Sequence, residues 1–347
     1  MIKRLIFCNT LYQLIVAIQI TLSFEGYTYL ILTTEMKNVE QIQKKLYKTG
    51  VIKEVVIFDT SVKKTSIQII KECVCGVKPD GMKEDKFDEF IGFNFDLPSH
   101  AIFAWAYKKN KNISVNKMEE GLLSYHTPDT LCRALSISCK IRKMLGMENL
   151  RPCAKMFYCF APEIYHGTLR PKQIPKIKTT DSRIREILNI VFLEKEIKPY
   201  KEKYIFLPSI YDVEGGDPIG ELELAQKIAS KVGIDDLIVK VHPRDDESRY
   251  IKSNLKIDRN SGIPWEVIQI NLDFSDKVVI TTLSGSVLNF NPVLENVGKS
   301  YYGYKLCDLD NNDLALHYRD VLEGYLNNFS LGLRNIKVLE NVEEIDL

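Results

Sequence analysis

Short apolar runs alternate along this chain with segments whose apolar residues recur every three to four positions. The runs predict strands over Lys3–Phe7, Tyr27–Leu32 and Val51–Phe58, and the periodic segments predict helices over Tyr12–Ser23, Lys37–Lys48 and Ser66–Cys75. Strand–helix alternation of this kind argues for a parallel sheet covered by helices on both faces. The pattern weakens from Lys78 to Asp96, then returns as a strand over Asn112–Asn116 that runs into Met118-Glu119-Glu120-Gly121. A second alternation predicts helices over Ser182–Phe192, Gly220–Val232, Trp265–Ile270 and Ser286–Leu294, with strands over Tyr204–Leu207, Leu237–Val241 and Val278–Thr281. Between the two alternations lies Arg170–Thr180, polar and proline-bearing, which reads as a linker. At 347 residues the chain exceeds what one core usually serves. The expected organisation is a Rossmann-like domain over 1–165, a linker over 166–180 and a second Rossmann-like domain over 181–347.

Composition adds mainly exclusions. A formal net charge of +1 removes the usual electrostatic case for a nucleic-acid partner. The eight cysteines are scattered without a CxxC pair, so they read as thiols in a reducing cytoplasm rather than zinc ligands. The opening Met1-Ile-Lys-Arg and the apolar run behind it mimic a signal peptide. Asn9, Thr10, Tyr12, Gln13 and Gln19 interrupt that run, and a strand, loop and helix account for it better. No run of roughly 18 apolar residues predicts a spanning helix. One stretch is locally basic: 131–155 carries Arg133, Lys140, Arg142, Lys143, Arg151 and Lys155 against Glu148. With Leu135, Ile137, Ile141, Met144 and Leu145 interleaved, it reads as a basic amphipathic helix, either covering the protein's own surface or touching an anionic membrane face.

Three segments sit where an open parallel sheet places ligands, at the carboxyl ends of strands. Lys240-Val-His242-Pro243-Arg244 ends one predicted strand. Pro243 stops the strand, which pins His242 at the edge, and Lys240 and Arg244 add charge suited to a phosphate. Thr281-Thr282-Leu-Ser284-Gly285-Ser286 lies between a strand and a helix, so its hydroxyls, backbone N–H groups and helix dipole suit an anion; plain helix capping explains the same residues. Glu119-Glu120-Gly121 offers two carboxylates that point apart, one of which can face a cleft, with a glycine to turn the chain. His126, five residues beyond that turn, is a further cleft candidate. The run Asp308-Leu-Asp310-Asn-Asn-Asp313 has acids but neither the glycine nor the glutamate of a calcium loop, and reads as a polar loop.

Taken in order, Glu119-Glu120-Gly121, His242-Pro243 and Ser284-Gly285-Ser286 resemble the acid-acid-Gly, His-Pro and Ser/Thr motifs of bacterial sialyltransferases. The opening Cys8-Asn9-Thr10-Leu-Tyr-Gln13-Leu is similar to the Thr-Pro-x-Gln-Leu start of glycosyltransferase family 52, the lipooligosaccharide and capsule sialyltransferases, with Leu11 in place of the proline. Ile263-Pro-Trp-Glu266 stands where related enzymes hold the ribose hydroxyls with a glutamate. The resemblance implies an α/β fold of GT-B type, two Rossmann-like domains whose parallel sheets face a central cleft. It implies an inverting, metal-independent transfer of sialic acid from CMP-sialic acid, with no cofactor, to a galactose-terminated glycan. Asn9, Thr10, Gln13, Gly121, Lys240, Pro243, Arg244, Glu266, Thr282, Ser284, Gly285 and Ser286 would bind substrate, and His242 would stabilise the departing phosphate. Glu119 is the favoured general base, ahead of Glu120. Because the family is also read with its base on a later loop, Asp212, Glu214 and Asp217 are rivals. A dimer and a place in the cytoplasm, peripheral to the membrane through 131–155, complete the expectation. A CDP-polyol phosphotransferase, another GT-B glycosyltransferase and a nonenzymatic sugar-nucleotide-binding protein are the competing readings.

Overall fold

The structure is a computed structural model and describes residues 1–93, 95–125, 133–150, 153–288, 297–328 and 336–347. The chain divides into two compact units. The first takes Met1–Glu120, Ser124–Lys176 and Glu186–Phe192; the second takes Gly121–Leu123, Ile177–Arg185 and Leu193–Leu347.

The first unit is built on seven parallel strands: β1 (Lys3–Cys8), β2 (Tyr27–Thr33), β3 (Glu54–Phe58), β4 (Glu89–Gly92), β5 (Ser114–Met118), β6 (Ala154–Cys159) and β7 (Arg170–Gln173). They lie in the order β3-β2-β1-β4-β5-β6-β7, the Rossmann order with one strand added at the edge. The helices are α1 (Leu11–Ser23), α2 (Val39–Thr49), α3 (Ser66–Cys75), α4 (Leu97–Lys109) and α5 (Arg133–Met144). Leu5, Phe7, Ile31, Val56, Phe90 and Val115 from the strands pack with Ile102 and Phe103 of α4 in one apolar cluster. Burying each such side chain contributes about 1.5–3 kcal/mol. The second unit has five parallel strands: β8 (Tyr204–Leu207), β9 (Leu237–Val239), β10 (Phe274–Thr281), β11 (Val297–Tyr302) and β12 (Ile336–Val338). Their order, β12-β11-β10-β8-β9, is that of a flavodoxin-like sheet. The remaining helices are α6 (Ser182–Phe192), α7 (Glu221–Val232), α8 (Glu247–Lys252), α9 (Trp265–Asn271) and α10 (Asp313–Asn328). The expected α/β class with two Rossmann-like units is therefore present.

Several elements escaped the pattern, each for a physical reason. In α4, every residue from Ser99 to Ala106 is buried, so the helix shows no polar face and no period. β4 has only four residues, all buried. β7 falls inside the segment expected to be a linker. It is a polar edge strand, and Pro171 is tolerated because an edge strand need not donate on both sides. The helix expected over Ser286–Leu294 is a 3-10 turn over Gly285–Val287 as far as the described residues go.

The basic stretch also differs from expectation. Its helix is α5 only, and β6 has begun by Lys155. Arg142 does not face solvent: it is fully buried, its Nη1 3.4 Å from the carbonyls of both Cys73 and Val74. Its Nε donates to the Glu148 carbonyl at 3.0 Å, and the rings of Phe103 and Tyr107 lie 5.7 and 5.8 Å from the guanidinium. Arg142 thus occupies carbonyls at the end of α3 that have no helical partner. Lys140 and Lys143 are exposed, whereas Arg151 lies outside the described residues. Among the described residues no helix is long and apolar enough to cross a membrane.

Candidate functional site

In an open parallel sheet the crevice for ligands opens where the strand order reverses. In the first unit that point lies between β1 and β4, and the chain segments leaving β1, β4, β5 and β6 meet at one edge. Asn9 and Thr10 follow β1. Thr10 caps α1, its hydroxyl accepting the Gln13 N–H at 3.2 Å, while the Gln13 side chain accepts the Asn9 N–H at 2.6 Å. Asn9 Nδ2 reaches across to Asp96 Oδ2 at 2.9 Å, and Asp96 in turn caps α4. Glu119 and Glu120 follow β5. Gly121 follows them with φ of 87°, a left-handed conformation that glycine adopts without strain.

The two glutamates differ sharply. Glu119 is fully buried. Its Oε1 accepts Tyr12 Oη at 2.8 Å, and its Oε2 accepts the Phe160 N–H at 2.8 Å and the Tyr125 hydroxyl. Burial pushes its carboxyl up to about 7, against the pull of those three donors and the Lys176 charge. Lys176 is itself pushed down to about 8 by burial, partly opposed by Glu119 and Glu163. Glu120 is half-buried, accepts Thr10 Oγ1 at 3.0 Å and is held by its own N–H to Ser124 Oγ at 2.6 Å. The sheet therefore brings the Asn9–Gln13 opening onto the Glu119–Glu120 pair, across more than a hundred residues of sequence (Thr10 and Glu120 are 110 apart). Glu119, the favoured base of the sequence reading, is thus a carboxyl with no exposed surface and three donors, whereas its neighbour Glu120 keeps some exposure.

The second unit reverses between β8 and β10. Ser209, two residues past β8, and Thr282, one past β10, are both buried, and their hydroxyl oxygens lie 2.8 Å apart. Thr281 donates to the Leu207 carbonyl at 2.7 Å and accepts the Ser284 N–H at 3.3 Å. Ser284 caps the 3-10 turn by accepting the Ser286 N–H at 3.2 Å, its hydroxyl passes to Ser286 Oγ at 2.9 Å, and Tyr302 Oη donates to its carbonyl at 2.8 Å. Ser284, Gly285 and Ser286 are half-exposed, whereas Thr282 is closed in.

His242 is half-buried, and its Nδ1 accepts the Arg244 N–H at 3.2 Å. That bond assigns the ring proton to Nε2 and makes Nε2 a donor. Lys240, expected at a phosphate, is committed elsewhere: Nζ bonds Asp258 Oδ2 at 3.1 Å and the Ile263 carbonyl at 2.9 Å. Pro243 and Arg244 are exposed, and Arg244 pairs with Glu214 Oε1 at 2.9 Å. Glu266 opens α9 and is buried; burial raises its carboxyl while its own backbone N–H and Lys240 oppose the rise.

The rival bases on the loop after β8 differ in their surroundings. Asp212 accepts the N–H groups of Gly220, Glu221 and Leu222 at 2.9, 3.0 and 3.2 Å and pairs with Arg249 Nη1 at 2.7 Å, so it caps α7. Glu214 is engaged by Arg244, and Asp217 is exposed. Asn312, inside the acidic run read as a polar loop, donates to the carbonyls of Tyr211, Glu214 and Asp217 and holds this loop in shape. His126 lies outside the described residues.

Ser209, Glu221, Arg249, Tyr12, Tyr125 and Asp96 belong to these edges and went unread in the sequence. Arg249 joins Asp212 to Asp245 (2.7 and 2.6 Å), and the Asp245 N–H bonds the His242 carbonyl at 2.9 Å. Together with the Asp212–Glu221 and Glu221–Thr282 bonds, this ties the His242 turn to the hydroxyl loop in one continuous chain. The available signal was position: Ser209 and Asp96 each stand just past a strand.

No protein-family model and no curated protein sequence matches the chain, so the family-52 resemblance rests on its short motifs. Solved structures that it resembles include a putative UDP-N-acetylglucosamine 2-epimerase from Listeria monocytogenes, at 11% identity and a TM-score of 0.42, covering 93% of this chain and 88% of that one. Another is the E. coli heptosyltransferase WaaC with ADP, at 10% identity and a TM-score of 0.38, covering 95% of this chain and 98% of that one. Likenesses this distant say nothing about substrate.

Proposed function

We propose that the protein is a nucleotide-sugar glycosyltransferase and, more narrowly, an inverting sialyltransferase that moves sialic acid from CMP-sialic acid to a hydroxyl of a galactose-terminated acceptor. The observation that carries this reading is the bonded chain joining the His242 turn to the Thr282–Ser286 loop at the carboxyl edge of one parallel sheet. A neutral imidazole donor and a half-exposed hydroxyl loop suit a single departing phosphate.

In the proposed reaction a carboxylate takes the acceptor proton, the freed oxygen bonds the anomeric carbon, and the bond from that carbon to the CMP phosphate breaks with inversion. The electron pair leaves on CMP, where His242 Nε2–H and the Ser284–Ser286 segment stabilise it. Glu120 is the proposed base, because it is the half-buried member of the pair and Thr10 orients it. Glu119 is the residue that holds the β5 edge in place. Glu266 is the proposed ligand of the ribose hydroxyls, since a buried carboxyl at the start of α9 can accept from both.

The test is a donor screen with product detection, using CMP-sialic acid, CDP-glycerol, CDP-ribitol and UDP-sugars against galactose-terminated glycans. Sialylated product from CMP-sialic acid alone supports the reading. Transfer from a CDP-polyol makes the protein a phosphotransferase, and CMP binding without turnover or donor hydrolysis makes it a nonenzymatic binder; either result sinks the sialyltransferase assignment.

A further inference from the structure

Glu221 opens α7 with no exposed surface. Its Oε1 accepts two donors, the Ser209 N–H at 2.6 Å and the Thr282 hydroxyl. Thr282 Oγ1 lies 2.8 Å from Ser209 Oγ, and Ser209 Oγ accepts the Leu283 N–H at 3.2 Å. These partners leave one arrangement of hydrogens. Thr282 has a single hydroxyl hydrogen and gives it to Glu221, so Ser209 gives its own to Thr282, and Leu283 fills the Ser209 acceptor. The order holds while Oε1 acts as an acceptor; a proton placed on Oε1 would be donated to Thr282 and reverse it.

The chain of bonds spans the reversal point of the second sheet, from the loop after β10 to the turn after β8. It also consumes the Thr282 hydroxyl hydrogen and the Leu283 amide, two groups that an anion at this loop would otherwise use. A second, independent observation sets the residue apart: Glu221 Oε2 is buried and has no hydrogen-bond partner among the described residues. A buried carboxyl oxygen left without a donor destabilises the fold, so packing alone does not account for a glutamate at this position.

We propose that Glu221 is a positioning residue of the phosphate loop: as terminal acceptor it locks a one-way chain of hydroxyls that turns Thr282 inward and leaves a bound anion to the Ser284–Ser286 segment. The assignment of CMP as the ligand rests on the proposed function; the lock itself does not. Thr282, a substrate contact in the sequence reading, then belongs to the lock.

The experiment combines amide hydrogen exchange on the ligand-free full-length protein with CMP titration. Glu221→Leu and Thr282→Val should speed exchange at the Ser209 and Leu283 amides, while Glu221→Gln, which keeps an acceptor oxygen, should preserve their protection. CMP affinity should fall about ten- to a hundredfold in Glu221→Leu and stay within about threefold in Glu221→Gln. The losses of Glu221→Leu and Thr282→Val should not add in the double variant, because both cut one chain. If Glu221→Leu does not fold, Ser209→Ala cuts the same chain and takes its place. Unchanged amide protection, or additive losses that make Thr282 an independent ligand, overturns the proposal. If the wild-type protein fails to bind CMP while exchange follows the expected pattern, the lock stands and the donor assignment fails.

Discussion

The two sheets solve the same problem differently at their reversal points. Each carries a side-chain hydrogen bond across the reversal, Asn9 to Asp96 in the first unit and Ser209 with Thr282 in the second. Each also buries one glutamate there completely, and in both cases burial pushes the carboxyl up to about 7. The partners differ. Glu119 has donors on both oxygens, whereas Glu221 has two donors on Oε1 and, among the described residues, none on Oε2. Depth of burial and a raised pKa therefore do not identify a base. The side chain beside each glutamate does the distinguishing: Glu120 is half-buried next to Glu119, and Ser284 and Ser286 are half-exposed on the loop that Glu221 locks.

The largest expected effect separates the second edge from the first. His242→Ala should lower kcat by roughly two to four orders of magnitude with CMP affinity changed much less, as steady-state kinetics and titration would show. Near-normal kcat would remove the second edge from the chemistry. Next, Glu120→Gln should lower transfer by roughly two to three orders of magnitude while leaving CMP binding intact. Glu119→Gln should act mainly on stability. The reverse pattern restores Glu119 as the base and overturns the inference from burial.

Asp212→Asn tests whether the loop after β8 is structural. Loss of the charge that pairs with Arg249, with the asparagine oxygen keeping the Oδ1 bonds that cap α7, should cost about 2–4 kcal/mol of stability in a denaturant titration. Loss of turnover at full stability would return Asp212 to the list of bases. Stability against pH tests the shared feature of the two edges. An ordinary glutamate titrates near 4.5, and Glu119 and Glu221 titrate near 7, so each contributes stability that is present below 4.5 and lost as pH rises to about 7. Tm should fall across that window, and the fall should be smaller in Glu221→Gln. A flat profile would mean that both carboxyls are ionised throughout. The smallest effect concerns the membrane. Lys140→Gln with Lys143→Gln should weaken binding to anionic vesicles by about 1 kcal/mol per charge at most, an effect that Arg142, being buried, cannot supply. Unchanged vesicle binding removes α5 as the contact.

Much of the architecture is legible in the sequence. Strands such as Lys3–Cys8 and Tyr204–Leu207 announce themselves because their burial makes them short, continuous apolar runs. α4 was silent because a helix buried on all sides has no period, and β7 because an exposed edge strand is polar. Of the site, the His242 turn and the Ser284–Ser286 loop were legible because each directly follows a strand. Glu221 was not, since a glutamate in the first turn of a helix is also what the helix dipole favours on any surface.

By itself, the sequence determined which segments become parallel strands, and hence which residues can stand at a carboxyl edge. Periodicity is local, and each strand carries its own. Only the tertiary structure decided which of those residues meet. Thr10 reaches Glu120, and Ser209 reaches Thr282, because β1 and β8 stand at the reversal points of their sheets, and parallel crossovers put β5 two strands from β1 and β10 beside β8. It also decided which charges are spent inside the fold. Arg142, Lys140's neighbour on α5, goes to helix-end carbonyls and Lys240 to Asp258, because a charge taken out of water must be matched by whatever packs against it. No local pattern records that partner.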